Sequence, residues 1–186
     1  MCARVAYLQA VIRPLSFTVR GHMRLASVFG IAVLAACGCS SSNVLRSQTV
    51  KLSFDTVAMH RSGCYGRCPI YSVEITSNGK VTFRGEKYVT SVGERHGLSP
   101  SDELTRLSRA IVDADFFALK QSDVDACGTW ASDNASVEVT VTAGDQGQHI
   151  SYYYGCENVV GSAVDRLSKA IDDAAGTRGW VTGSAL

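Results

Sequence analysis

The stretch Tyr71 to Phe83 constrains the fold most. Tyr71, Val73 and Ile75 alternate with Ser72, Glu74 and Thr76, and Val81 and Phe83 resume the alternation after Asn78-Gly79. A period of two places one apolar row on one face of a strand. Asn-Gly is the strongest short hairpin signal, because both residues tolerate positive φ in a type I′ turn. This segment therefore commits the chain to an antiparallel sheet with one buried face.

Further segments share the pattern. Val50, Leu52 and Phe54 alternate with polar residues, and Val57 and Met59 continue after a one-step shift. Tyr88-Val89-Thr90 reads as a short strand. Val137, Val139 and Val141 form a strand that turns through Ala143 to Gly147 and returns with Ile150, Tyr152 and Tyr154. That leaves Tyr153 outward, a modest hint of a binding surface.

Two segments carry helical period. Leu104, Leu107, Ile111 and Ala114 recur at steps of three and four, with Phe116, Phe117 and Leu119 at the far end. Ser99 is placed to cap this helix, Pro100 suits its first turn, and Asp102 and Glu103 face the positive end of its dipole. A second helix starts near Asn158, carries Val160, Val164, Leu167, Ile171 and Ala174 on one face, and stops at Gly176. Lys120 to Asn134 reads as a loop. Stripes and alternating faces are buried together in an α+β two-layer sandwich, an antiparallel sheet of about five or six strands covered by two helices.

The N-terminus adds an address. Met23-Arg24 precedes an apolar run, Leu25 to Ala36, that ends at Cys37. This is the charged start, apolar middle and small-residue end of a secretory signal. The run is far shorter than the ~20 residues needed to span a bilayer as a helix. Leu34-Ala35-Ala36-Cys37 resembles the lipobox of bacterial lipoproteins, which implies cleavage before Cys37 and lipidation of its thiol and new amine, palmitate included. Several acyl chains anchor stably, at roughly 0.8 kcal/mol for each buried methylene. Cys39 is the weaker acceptor. Residues 1–36 are thus expected to be a signal peptide with its true start at Met23, 37–48 a lipidated Ser-rich tether, 49–180 one globular domain and 181–186 a tail. Gly38, rather than Asp, follows the lipidated cysteine, which points to the outer membrane, facing the periplasm.

Cleavage changes the charge balance. Arg4, Arg13, Arg20 and Arg24 precede Cys37 and no acidic residue does, so the remaining part carries 14 basic and 17 acidic side chains, net −3. An acidic domain lacks the electrostatic footprint of a nucleic-acid binder. The partners expected are a membrane, through the lipid, and an envelope protein or glycan.

Cys64, Cys68, Cys127 and Cys156 lie beyond the export signal, where an even number of cysteines reads as disulfides. Cys64–Cys68 with Cys127–Cys156 is the favoured pairing, since a hairpin brings the flanks of Val137 and Tyr154 together. The alternative joins Cys64 or Cys68 to a partner in the second half. The stretch Cys64-Tyr65-Gly66-Arg67-Cys68-Pro69-Ile70-Tyr71, followed by a strand and Asn78-Gly79, resembles the bacterial family called domain of unknown function 6438. The motif positions are Cys64, Gly66, Cys68, Pro69 and Tyr71, and the resemblance spans roughly residues 50–180. It implies a domain that often occurs in lipoproteins. It implies no reaction. Cys127 and Cys156 depart from the general pattern.

The same residues also offer sharper chemistry. His60, Cys64 and Cys68 are soft donors suited to copper or zinc, with His96 as a distant ligand, but Gly63, Gly66 and Pro69 break the helix that would stack them. Arg61 and Arg67 could lower a thiol pKa and so favour redox exchange. Asp123, Asp125, Asp133 and Asn134 lack the spacing of a calcium loop. There is no G-x-S-x-G elbow and no H-E-x-x-H pair. The expectation is a non-enzymatic binding or structural module without a cofactor; the alternative is a thiol-redox or copper-handling protein using Cys64 and Cys68.

Overall fold

The computed structural model describes residues 51–183. Cys37, Cys39, Met23, the leader and the tether lie outside them, as does Val50. No helix among the described residues is long and apolar enough to cross a membrane.

In chain order the elements are β1 (Thr56–Arg61), β2 (Ile70–Thr76), β3 (Lys80–Lys87), β4 (Gly93–Leu98), α1 (Ser101–Asp113), a 3₁₀ turn (Phe116–Ala118), α2 (Gln121–Val124), β5 (Thr129–Trp130), β6 (Ser136–Ala143), β7 (Gln146–Tyr153), β8 (Cys156–Glu157), α3 (Val159–Ala175) and α4 (Arg178–Thr182). Six strands form one antiparallel sheet in the order β4-β3-β2-β1-β6-β7, and β5 pairs with β8 in a two-stranded sheet. The fold is α+β, with its main helices layered on one face of the sheet.

The alternation seen in the sequence becomes the buried face. Val57, Met59, Val73, Ile75, Val81, Phe83, Val137, Val139, Val141 and Ile150 all point to the helices and lose nearly all contact with solvent. The stripes Leu104, Leu107, Ile111 and Val164, Leu167, Ile171 close over them. α1 leaves the β4 side of the sheet and the segment after it reaches β7, where Gln148 Nε2 donates to Leu119 O. α3 returns from β8 and ends over β1 and β2. Asn158 caps it by accepting from Gly161 N, and Gly176 closes it in the left-handed region at φ 64°. Gly161 has no side chain because the ring of Tyr152 occupies the place of a Cβ.

Several expectations are corrected. Ser99 does not cap α1: the cap position is Pro100, without a side-chain hydrogen bond, and Ser99 Oγ is buried without a partner among the described residues. Tyr88-Val89-Thr90 is not a strand, because β3 ends at Lys87 and Tyr88 turns the chain at φ 55°. The strand beyond is β4, whose inward positions are Gly93, Arg95 and Gly97. It lacks apolar alternation because Trp180 of α4 packs on Gly97, leaving little space for a side chain there. The segment before Phe54 is not a strand, although Phe54 is buried. The expected loop 120–134 contains α2 and β5.

The sheet has two unlike ends. At one lie the tight turns after Thr76 and Ala143, and there the chain enters: Asp55 N donates to Thr142 O, and Asp55 Oδ2 accepts from Gly144 N. At the other lie the long connections, residues 62–69, 88–92, 125–135 and 154–158. We refer to this as the loop end.

Candidate functional site

The motif residues build the loop end. After Arg61, Ser62 N donates to Ser136 O, and Gly63 leaves room for the side chain of Ile70. Gly66 N donates to Cys64 O at 2.8 Å, a three-residue turn centred on Tyr65. Cys64 and Cys68 are joined, with Cα atoms 5.7 Å apart. This short closed loop throws Tyr65 outward, 90% exposed. Arg67 lies 5.8 Å from the ring of Tyr88, over which Lys87 also sits. Pro69, which has no N–H, stands just before β2 begins.

The second disulfide clamps the neighbouring segment. Cys127 and Cys156 are joined, Cα to Cα 5.0 Å, and Cys156 is the cross-strand partner of Trp130. Gly128 N donates to Glu157 O, Ala131 N to Gly155 O, and Tyr153 Oη to Ala131 O. Trp130 lies against Tyr153 with ring centroids 5.9 Å apart and is still 65% exposed. The outward aromatic is thus Trp130, which no periodicity marks, while Tyr153 is the ring that supports it. Tyr65 N donates to Asp133 O at 3.1 Å, so the two clamped loops touch. Between the two aromatics run Ser132, Asp133 and Asn134, all exposed.

Motif residue Tyr71 has a different role. It faces the helices, and its phenol donates to Asp172 Oδ1 at 2.6 Å. Arg61, its partner across the β1–β2 ladder, donates to Asp172 Oδ2 through Nε and Nη2, to Tyr154 Oη and to Ser168 Oγ. Thr177 Oγ1 is a third residue bound to the carboxylate. Burial alone would lower the Arg61 pKa, but the Asp172 carboxylate and the two phenols raise it instead. Burial pushes the Tyr71 phenol up, and Asp172 pushes it further against the opposing effect of Arg61. These groups bind one another and tie α3 to the sheet.

The remaining sequence candidates are dispersed. His60, His96 and His149 lie on the open face of the sheet on different strands: His60 lies 3.9 Å from Glu86, His96 is 3.2 Å from Glu94, and His149 shares a hydrogen bond with Thr140. Cys64 and Cys68 are bonded to each other. Among the described residues no three His, Cys, Asp or Glu side chains converge in the manner of a metal site, so the copper or zinc set His60, Cys64, Cys68 and His96 is not assembled. Asp125 instead accepts from Gln121, and Asp133 from Ser132. The open face also forms a shallow concavity of about 260 Å³ to which His60 and His149 both contribute, alongside Ser72, Thr82, Glu138 and Thr140. A polar outer face is ordinary for an antiparallel sheet.

The site and the fold define a class: a small disulfide-clamped α+β module whose motif residues shape one loop and lock one helix. Within that class the chain belongs to the family described as domain of unknown function (DUF6438), whose model matches residues 55–175. No curated protein matches the chain.

Proposed function

We propose that this protein is a lipid-anchored cell-envelope module that carries out no catalysis and binds a partner through its loop end. The observation that carries this reading is the clamping of Tyr65 and Trp130. Exposed aromatics on floppy loops are unremarkable, but here two disulfides and a set of backbone hydrogen bonds hold the backbone that carries them. Preorganised aromatic side chains lose little entropy on binding and contribute large contact areas. The loop end is also the end of the sheet opposite Asp55, where the described residues enter it. Lipidation at Cys37 and residence at the outer membrane, facing the periplasm, complete the proposal and rest on the leader.

Two measurements test it. A palmitate analogue should label the wild type and not Cys37→Ser. A photo-crosslinking residue at Tyr65 or Trp130 should trap a partner in cells, whereas one at Asn78 or Gly144, at the opposite end, should not. Equal labelling from both ends would overturn the reading. Copper binding would need Cys64 and Cys68 reduced to thiolates, whereas thiol–disulfide exchange would cycle the same pair between its bonded and reduced states.

A further inference from the structure

Resting on that reading, we infer that the surface from Trp130 through Ser132, Asp133 and Asn134 to Tyr65 is a carbohydrate-binding site for a chain of pyranose rings. The order of chemistry along it favours a sugar over a protein. A protein hot spot has an apolar centre inside a polar rim. Here exposed aromatic and polar groups alternate: Trp130 precedes the exposed Ser132, Asp133 and Asn134 in the chain, and Tyr65 is joined to Asp133 through its backbone. A pyranose matches this layout, with C–H faces that pack on aromatic rings and equatorial hydroxyls that need donors and acceptors at their edges.

The polar strip is fixed in place and its outer atoms are available. Asn134 N donates to Tyr153 Oη, and Asn134 Nδ2 donates to Ala131 O and Ser132 O, while its side-chain oxygen accepts no hydrogen bond among the described residues. Asp133 is held at φ 69° with its carbonyl taken by Tyr65 N, and its carboxylate receives only Ser132 Oγ among the described residues. One face of Trp130 is supported by Tyr153 and the ring remains largely exposed. This is a shallow surface site, suited to an extended chain that slides across it rather than to a small molecule enclosed in a pocket.

The test uses the full chain purified in detergent, with a tetramer of β-1,4-linked N-acetylglucosamine, maltotetraose and peptide-stripped cell-wall glycan as probes. At least one is expected to change tryptophan emission saturably. Read by isothermal titration calorimetry, which does not depend on the fluorophore, Trp130→Ala should abolish binding, and Tyr65→Ala and Asp133→Ala should weaken it at least tenfold. Both aromatics are exposed, so unchanged melting temperatures will show that these variants fold. Saturable binding that Trp130→Ala and Tyr65→Ala leave intact would overturn the site. No binding of any probe, while loop-end crosslinks still trap a protein, would overturn the carbohydrate ligand and leave the loop-end reading standing. Silence in both assays would sink both.

Discussion

The phenol of Tyr71 donates to one oxygen of Asp172 while Arg61 holds the other, at 2.6 Å in each case. The motif tyrosine thus fixes α3 through a carboxylate that is already paired. The Arg61 and Asp172 side chains keep only 18% and 21% of their exposure. Removing one partner of a buried pair costs about 3–5 kcal/mol, and the residual solvent access reduces this. Arg61→Ala is expected to destabilise by about 2–3 kcal/mol, and Tyr71→Phe by about 1–2 kcal/mol for one lost charge-assisted bond. Urea unfolding followed by circular dichroism checks both; an Arg61→Ala midpoint equal to wild type would refute the structural role.

The same contact sets a pH dependence. Tyr71 titrates above its ordinary value in the folded state because of burial and Asp172. The unfolded chain releases the proton near pH 10, while the folded one retains it. Above that pH the unfolded state binds fewer protons, so stability falls as pH rises. Below pH about 9 this group contributes no slope. Melting temperatures from pH 8 to 11 should decline steeply at the alkaline end in wild type, and less steeply in Tyr71→Phe.

The two disulfides differ in what they close. They span 4 and 29 residues. By chain entropy the short one contributes about 2 kcal/mol and the long one about 3.6 kcal/mol. Cys127→Ser/Cys156→Ser should therefore destabilise more than Cys64→Ser/Cys68→Ser. It should also raise hydrogen exchange at Gly128 and Ala131, whose amides bond across to β8. Scanning calorimetry and exchange measurements together separate the two clamps. Equal losses for both pairs would count against this account.

Much of this was legible in the sequence, for reasons specific to each residue. The α3 boundaries Asn158 and Gly176 and the inward valines follow from local rules of period and capping, and so does the hairpin at Asn78-Gly79, although its turn is not type I′: Gly79 alone takes positive φ, and its N–H donates to Thr76 O, which makes Ser77 and Asn78 the central residues. β4 was hidden because its inward residues are Gly93, Arg95 and Gly97, small or polar where Trp180 and α4 supply the apolar cover. Trp130 was hidden because a two-residue strand has no period, and its partner Cys156 lies far along the chain. The Arg61–Tyr71–Asp172 cluster depends on a helix crossing the strands, which no local pattern encodes. The Cys-x-Gly-x-Cys-Pro-x-Tyr stretch was recognisable as a motif, yet its residues divide between shaping a loop and locking a helix.

The β7 edge shows how a single side chain can stand in for a missing strand. Gln121 Oε1 accepts from Ser151 N at 2.9 Å and its Nε2 donates to Ser151 O at 2.7 Å, which satisfies one residue of the outer strand in the manner of a neighbouring peptide group. Unprotected strand edges pair with other chains. Gln121→Ala removes two part-buried hydrogen bonds and uncovers the edge. It is expected to cost about 1–2 kcal/mol and to promote concentration-dependent association. Gln121→Glu keeps the acceptor but sets a carboxylate against Ser151 O, so it should be no more stable than the alanine variant. Urea unfolding gives the first quantity and sedimentation velocity across a concentration series gives the second. A monomeric Gln121→Ala protein of wild-type stability would show that the edge is protected by other means.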